Sequence, residues 1–148
     1  MNFLSRKEAK AILAFAEQNW GADLEFLLDE YGFRITSSND VYIVSRDVEK
    51  LDLKLLRVTG VGIYLGEFYQ GLRLSVEGAQ IIGPHAKKNV IKISDVELDA
   101  WFHGEEFSTD ETNNGLFILK HNNDFVGCAK VTNGRVFNFL PKSRRMNV

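Results

Sequence analysis

Cysteine, histidine and paired acids are the side chains of this sequence that could take part in catalysis. Cys128 is a possible nucleophile, but it lies between small and apolar neighbours in DFVGCAKV, and such surroundings raise a thiol pKa and keep the thiol inert. His85, His103 and His121 are not within five residues of one another or of the cysteine, so no local spacing indicates a metal site. We expect a structural cysteine, surface histidines and no bound metal or cofactor.

Two acidic pairs and one glycine-rich stretch give no stronger indication of catalysis. Glu105–Glu106 and Asp110–Glu111 lie in a polar loop bounded by glycine, where solvated carboxylates are the simpler interpretation. TGVGIYLG has the glycines of a phosphate-binding loop. However, it has neither the Lys-Ser/Thr that a P-loop requires after its glycines nor the following helix that a Rossmann turn requires. The sequence therefore predicts a protein that is not an enzyme.

Basic side chains lie at the ends of the predicted strands in the second half of the chain. They are Lys87, Lys88, Lys130, Arg135, Lys142, Arg144 and Arg145. If the fold brings these strand ends together, they form a basic rim that binds phosphates with a salt-dependent affinity. On charge alone, a solvated C-terminal PKSRR that only aids solubility is an equally good interpretation.

Charge is unevenly distributed along the 148 residues. The chain has 18 basic and 20 acidic residues and a formal net charge of −2, which argues against an indiscriminate binder of polyanions. Residues 95–111 contain seven acids and no Lys or Arg, whereas residues 125–148 contain five bases and no acid. This segregation suggests one face suited to an anion and another turned away from it.

The composition also bears on location. A single cysteine excludes an internal disulfide, MNFLSRKEAK lacks the apolar core of a secretory signal, and no apolar run approaches the roughly 20 residues of a membrane span. We expect a soluble cytoplasmic protein, nucleolar if the source is eukaryotic, without membrane contact.

The first half of the chain reads as two helices followed by strands. SRKEAKAILAFAEQNW has Ser5 and Glu8 at capping-box spacing and one apolar stripe, which predicts a helix ending at Gly21. ADLEFLLDEY predicts a second helix beside it. FRIT and VYIVS flank the turn SSND as a hairpin. SRDVEKLD predicts a short helical turn, and the glycine-punctuated run that follows predicts strands.

The second half reads as short strands with two inserted helices. SVEGAQIIGP predicts a short helix, NVIKIS a strand, and SDVELDAWFHG a helix with a capping box of Ser94 and Glu97. TDETNN is predicted to be a loop, and NND and Asn133-Gly134 are predicted hairpin turns. The apolar residues of GRVFNFLPKSRR predict a final strand that Pro141 stops.

These elements predict an α+β fold in two packed parts. Residues 1–70 are expected to form an α/β domain of helices on a small sheet, and residues 71–148 a partly closed β pseudo-barrel. Because no stretch between them is typical of a flexible tether, the two parts should pack against one another.

Several stretches resemble known RNA-binding domains. GLRLSVEGAQIIGP, NVIKI and GLFILKHNNDFVGCAKV resemble the PUA domain, a small RNA-binding pseudo-barrel named for pseudouridine synthases and archaeosine transglycosylases. WGADLEFLL and FRITSSNDVYIVSRDVEKL resemble the domain that precedes PUA in ribosome-biogenesis factors of the Nip-seven type. GRVFNFLPKSRR and LLRVTGVGIYLGEF are more similar to the C-terminal RNA-binding region of Sun-type rRNA (cytosine-5) methyltransferases.

The resemblance implies a non-catalytic RNA-binding protein of ribosome biogenesis or of rRNA or tRNA modification. It assigns the RNA face to the first helix of the PUA part, the start of the next strand and the last strand. The RNA-binding residues expected are Arg73, Gly78, Ala79, Lys87, Lys88, Lys130, Arg135, Lys142, Arg144 and Arg145. The resemblance lends no active site, because the Pro-Cys catalytic motif of the methyltransferases is not matched: Cys128 follows Gly127.

The expected partners are structured rRNA or tRNA, recognised by backbone and shape, and a protein docked on the acidic residues 1–70. One alternative is a protein–protein adaptor that binds no RNA and uses exposed Trp20 or Phe26 as anchors. Another is a subunit that delivers RNA to a separate RNA methyltransferase.

Overall fold

The computed structural model describes residues 3–46 and 62–146. The helices in these ranges are α1 (Arg6–Trp20), α2 (Glu25–Glu30), α3 (Val76–Ile82) and α4 (Asp95–Phe102), with 3₁₀ turns at Gly83–His85 and Lys142–Arg144. The strands are β1 (Tyr31–Ile35), β2 (Asp40–Ser45), β3 (Ile63–Phe68), β4 (Leu72–Leu74), β5 (Val90–Lys92), β6 (Phe107–Ser108), β7 (Gly115–His121), β8 (Asp124–Thr132) and β9 (Arg135–Phe137). The predicted turn in SRDVEKLD and the first part of the glycine-punctuated run lie outside the described residues.

The strands form two sheets in a mixed α/β fold with a curled, half-barrel sheet. In the first sheet, β1 to β4 are neighbours in chain order and every pair is antiparallel. The second sheet has the order β5-β7-β8-β9-β6, in which β5 and β7 are parallel and the other pairs antiparallel. Because β4 pairs with β3, the first sheet continues across the expected domain boundary between residues 70 and 71.

Local capping fixes the ends of α1 as the sequence predicted. The Ser5 hydroxyl accepts a hydrogen bond from the Glu8 amide at 3.1 Å, and the Glu8 carboxylate accepts one from the Ser5 amide at 3.0 Å. These bonds lower the Glu8 pKa, because they favour the charged form. Gly21 follows with φ +65°, the left-handed conformation in which glycine ends helices. The capping box of α4 is confirmed in the same way.

One apolar core joins the helices of the first half to both sheets. Its fully buried members include Leu13 and Trp20 of α1, Leu65 of β3 and Ile118 of β7, and buried Cys128 of β8 belongs to it as well. A second cluster lies around Trp101, Phe117, Val136 and Leu140. The two halves are therefore packed together, since a side chain of α1 shares its core with strands of the second sheet.

Three features of the described residues differ from expectation. Trp20 is fully buried and Phe26 packs at 4.8 Å against the ring of His85, so neither is the freely exposed anchor that the adaptor alternative required. The final strand β9 ends at Phe137, before Pro141, because the Asn138 side-chain amide turns away to donate to the carbonyls of two α4-end residues at 2.8 and 3.0 Å. The two-residue strand β6 had no sequence signal.

None of the helices described has the length and apolar composition that crossing a membrane requires.

Candidate functional site

Four lysines line one groove of about 300 Å³, which we call the lysine groove. They are Lys87, Lys88, Lys92 and Lys120. No aspartate or glutamate of residues 3–46 and 62–146 lines this groove. None of the four lysines forms an ion pair with a residue of those ranges. The groove is therefore a concentration of uncompensated positive charge suited to an anion.

Strand pairing places two of these lysines side by side. Lys92 of β5 and Lys120 of β7 are direct partners across the parallel ladder, so their side chains leave the same face of the sheet. The Lys120 ammonium lies 5.3 Å from the ring centroid of Phe125, which also lines the groove. Like charges directly opposite one another destabilise a sheet, and a bound anion would relieve this repulsion.

The C terminus of α1 holds the other two lysines in place. The backbone amides of Lys87 and Lys88 donate to the Trp20 carbonyl at 2.7 and 3.2 Å. The side chain of Asn89, which has φ +57°, donates to the Asn19 carbonyl at 2.6 Å. These bonds satisfy carbonyls that a helix end leaves unpaired, and the negative end of the helix dipole favours cations there. A helix of the first half thus positions a lysine pair of the second.

Two of the expected RNA-binding arginines are paired with carboxylates. Arg73 donates to Glu67 at 3.0 Å, and its guanidinium lies 4.3 Å from the ring centroid of Phe139. Arg144 donates to Glu77 at 2.5 Å. Burial is the largest single influence on Glu77 and opposes its ionisation. The hydrogen bond and positive charge of Arg144, together with a hydrogen bond from the Glu77 amide, outweigh burial and lower the Glu77 pKa below its ordinary value. Both arginines are therefore already engaged in the fold.

The remaining cations of the expected rim do not join the lysine groove. Arg135 lies 3.6 Å from a carboxylate oxygen of Glu106, and Arg145 donates to a backbone carbonyl at 2.9 Å. Lys130 and Lys142 are exposed and form no ion pair with the part of the chain that the structure describes. The structure thus separates the expected set into paired arginines and unpaired lysines.

Gly78 and Ala79 lie inside the fold and correct the expectation that they contact RNA. Ala79 is fully buried, and a Cβ on Gly78 would run into the backbone carbonyl of Leu65. Their small size lets α3 approach β3 closely. They support the surface from within, because a buried side chain cannot reach a ligand.

The candidate catalytic side chains have structural partners. Cys128 is buried, as predicted for a structural cysteine, and burial raises its thiol pKa to about 12. His121 Nε2 lies 2.7 Å from an Asp95 carboxylate oxygen, and His103 Nδ1 lies 2.7 Å from the Asp99 carbonyl. Within the described ranges, no three His, Cys, Asp or Glu side chains gather as metal ligands.

Sequence reasoning missed Lys92 and Lys120. Each interrupts an otherwise apolar strand, in VIKI and FILKH, and a charged residue at such a position indicates an exposed strand end. That signal does not identify the partner, because the parallel pairing of β5 with β7 joins segments nearly thirty residues apart.

Comparison with known proteins relates the second half to an RNA-modifying enzyme. Residues 88–146 match the family described as the methyltransferase RsmF PUA domain. This region is similar to a PUA domain. Two curated relatives, both called ribosomal RNA small subunit methyltransferase F, come from Vibrio cholerae serotype O1, strains M66-2 and ATCC 39315 / El Tor Inaba N16961. Each is 26 % identical over 106 residues.

The match covers 70 % of this chain but 22 % of each relative, so the chain spans about a fifth of the length of the curated relatives it matches. The similarity to the RNA-binding region of Sun-type methyltransferases is thereby confirmed. The resemblance of the first half to factors of the Nip-seven type stays a prediction. Three of the four groove lysines lie inside the PUA-like region 88–146, and Lys87 directly precedes it.

Proposed function

We propose that the protein binds structured RNA through the lysine groove and acts in rRNA modification without catalysing a reaction itself. The observation that carries this proposal is the group of four lysines on one groove, with no carboxylate among the lining residues that the structure describes. The similarity of residues 88–146 to the PUA domain of a methyltransferase supports RNA as the anion. The name of the relatives supports rRNA over tRNA.

In this proposal the lysines bind phosphates as point charges. Lysine ammonium groups lack the fixed fork of arginine, so they follow a phosphate backbone without reading sequence. Each neutralised phosphate releases counterions, and four contacts predict a slope of log affinity against log salt of roughly −3. Recognition would then depend on the shape of the RNA and the spacing of its phosphates. Lys130 and Lys142, both exposed and unpaired, would extend this contact at the edge.

The proposal assigns the protein no reaction. Cys128, a possible nucleophile, is buried with its pKa raised to about 12. No acid or histidine of the described ranges lines the lysine groove to transfer a proton. We place its action in ribosome biogenesis in the cytoplasm. The protein would hold an RNA for another enzyme to modify.

Charge reversal in the groove tests RNA binding directly. The variants Lys88→Glu and Lys92→Glu should weaken binding to a structured rRNA fragment, and each should reduce the magnitude of the salt slope by about 1. Lys10→Glu, an exposed lysine on α1, is the matched control for net charge. Affinities are measured by fluorescence anisotropy between low and physiological potassium chloride. A salt slope near zero for the unmodified protein would rule out the proposal.

A protein partner on residues 1–70 is part of the same proposal. The similarity of residues 88–146 to the PUA domain of a methyltransferase favours a role in delivering RNA to an enzyme of that kind over an adaptor that binds no RNA. Affinity purification from the source organism should then recover an RNA methyltransferase, and the lysine-groove variants should still recover it. Loss of partner binding in those variants, with RNA binding unchanged, would instead support the adaptor.

A further inference from the structure

We propose that a second concavity of this protein is a pocket for an unpaired RNA base that carries an amino group. This inference rests on the proposed RNA-binding function and adds a ligand subsite to it. The concavity, which we call the base pocket, lies between β3, α3 and the chain after β9. Its polar and aromatic lining includes Tyr64, Glu67, Arg73, Glu77, Phe139 and Arg144. Its volume of about 560 Å³ lies within the range of pockets for small organic ligands.

An exposed aromatic ring supplies the stacking surface. Phe139 is 39 % exposed although its neighbour Leu140 is buried, so the ring is not simply part of the core. The Arg73 guanidinium covers it at 4.3 Å. The Asn138 side chain accepts a hydrogen bond from the Leu140 amide at 2.8 Å and fixes the chain around the ring. A ring held in this way stacks on a base at little entropic cost.

Two carboxylates supply hydrogen-bond acceptors beside the ring. Glu67 and Glu77 each give one oxygen, Oε1, to an arginine. The second oxygen of Glu67 has no hydrogen-bond partner among residues 3–46 and 62–146, whereas the Glu77 carboxylate also accepts from its own backbone amide. A carboxylate accepts from the amino group of cytosine, adenine or guanine. Uracil has no amino group, and its one donor on that edge, N3–H, lies between two carbonyl oxygens that a carboxylate repels. The pocket should therefore select against uracil.

A third concavity, of about 340 Å³, has lining residues in common with both the base pocket and the lysine groove. It shares Val76 with the base pocket and shares Pro84 and Phe125 with the lysine groove. Val76 and Pro84 mark the two ends of α3 and its 3₁₀ extension, about 12 Å apart at 1.5 Å per residue. One RNA strand can therefore place phosphates on the lysines and an unpaired base in the pocket. A base held within a duplex is stacked and paired and cannot enter.

The test uses one RNA hairpin in two forms, fully paired or with an unpaired bulge. With adenine in the bulge, Phe139→Ala should lower affinity about tenfold, the size of one lost base stack, and should leave the paired hairpin unaffected. Phe139→Trp should retain the affinity. Tyr69→Ala is the matched control, because Tyr69 is 65 % exposed but does not line the pocket. Uridine in the bulge should bind about as weakly as the Phe139→Ala variant binds adenine.

A direct readout needs no variant. 2-Aminopurine in the bulge should lose fluorescence when the unmodified protein binds, because stacking on an aromatic ring quenches it. Unchanged fluorescence, together with equal affinity for paired and bulged hairpins, would overturn the base pocket even if the lysine-groove variants fail to bind RNA. That result would leave the proposed RNA-binding function intact, whereas a flat salt slope would overturn both the proposed function and the base pocket.

A free nucleotide is the other ligand that could place such a base in the pocket. Adenosine monophosphate is titrated against the unmodified protein and the Lys92→Glu variant. If the ligand is an RNA base, the free nucleotide should bind at least a hundredfold more weakly than the bulged hairpin. Free nucleotide binding as tightly as the hairpin, and equally in both proteins, would overturn RNA as the source of the base.

Discussion

Replacing Lys92 by glutamate should stabilise the protein while weakening RNA binding. Lys92 and Lys120 are direct partners on adjacent strands, and such strands lie about 4.8 Å apart. Lysines paired in this way repel each other, and no carboxylate of residues 3–46 and 62–146 lines their groove. A glutamate at position 92 replaces the repulsion with an attraction.

The expected gain follows from the size of cross-strand interactions. Such pairs contribute about 0.2–1 kcal/mol, so removing an unfavourable pair and adding a favourable one should raise the free energy of unfolding by about 1 kcal/mol. For a chain of this size that corresponds to a rise in Tm of about 2–4 °C. The gain should shrink with added salt, because Lys92 is exposed to solvent. In the RNA assay the same variant should lose at least one unit of salt slope.

The change in stability is measured by thermal unfolding, followed by circular dichroism at 20 mM and at 500 mM potassium chloride. The change in RNA binding is measured by the RNA titration, run beside it. Lys10→Glu on α1 makes the same change of net charge without a lysine opposite it on a strand. That control should change Tm by less than about 1 °C. If Lys92→Glu lowers Tm at low salt, or leaves RNA affinity unchanged, the two lysines do not face a common anion and the groove argument is wrong.

Three further predictions concern residues that support the site from within the fold. Gly78→Ala should cost about 1–3 kcal/mol by overpacking against the Leu65 carbonyl, as measured by urea unfolding, while the folded fraction binds RNA normally. Asn89→Ala should lose the bond to Asn19 and strain a residue at φ +57°, costing about 2 kcal/mol in unfolding and weakening RNA binding through the adjacent lysine pair. Cys128, whose pKa is raised to about 12, should not react with a thiol reagent at pH 8 until urea unfolds the protein.

Features with a local cause could be predicted from the sequence. The capping boxes at Ser5 and Ser94 depend on residues three positions apart, and Gly21 ends α1 through its own backbone conformation. The Asn133-Gly134 turn joins β8 to β9 as predicted, with both residues at positive φ. In each case the determining contacts lie within one turn of structure, so composition and spacing contain the whole signal.

The functional surface depends on contacts that the sequence does not display. Lys92 meets Lys120 only because β5 pairs in parallel with β7, and parallel strands require a long crossover whose partner no local pattern specifies. Arg144 finds Glu77 across 67 positions of sequence. A list of basic residues therefore gave Lys87 and Lys88 correctly as groove residues, omitted two others, and could not separate cations that are paired from cations that are free.

That separation explains how a chain of net charge −2 can hold a polyanion. The arginines Arg73, Arg135 and Arg144 are beside carboxylates, and a paired guanidinium adds little to the field felt by an approaching phosphate. The lysine groove has four positive charges, and no acid of residues 3–46 and 62–146 lines it. At physiological ionic strength, charges beyond about 8 Å are largely screened. An approaching phosphate therefore experiences the local charge of the groove and not the average of the chain. Neutralising Arg73 or Arg144 should disturb packing around the base pocket, whereas neutralising a groove lysine should change the salt slope.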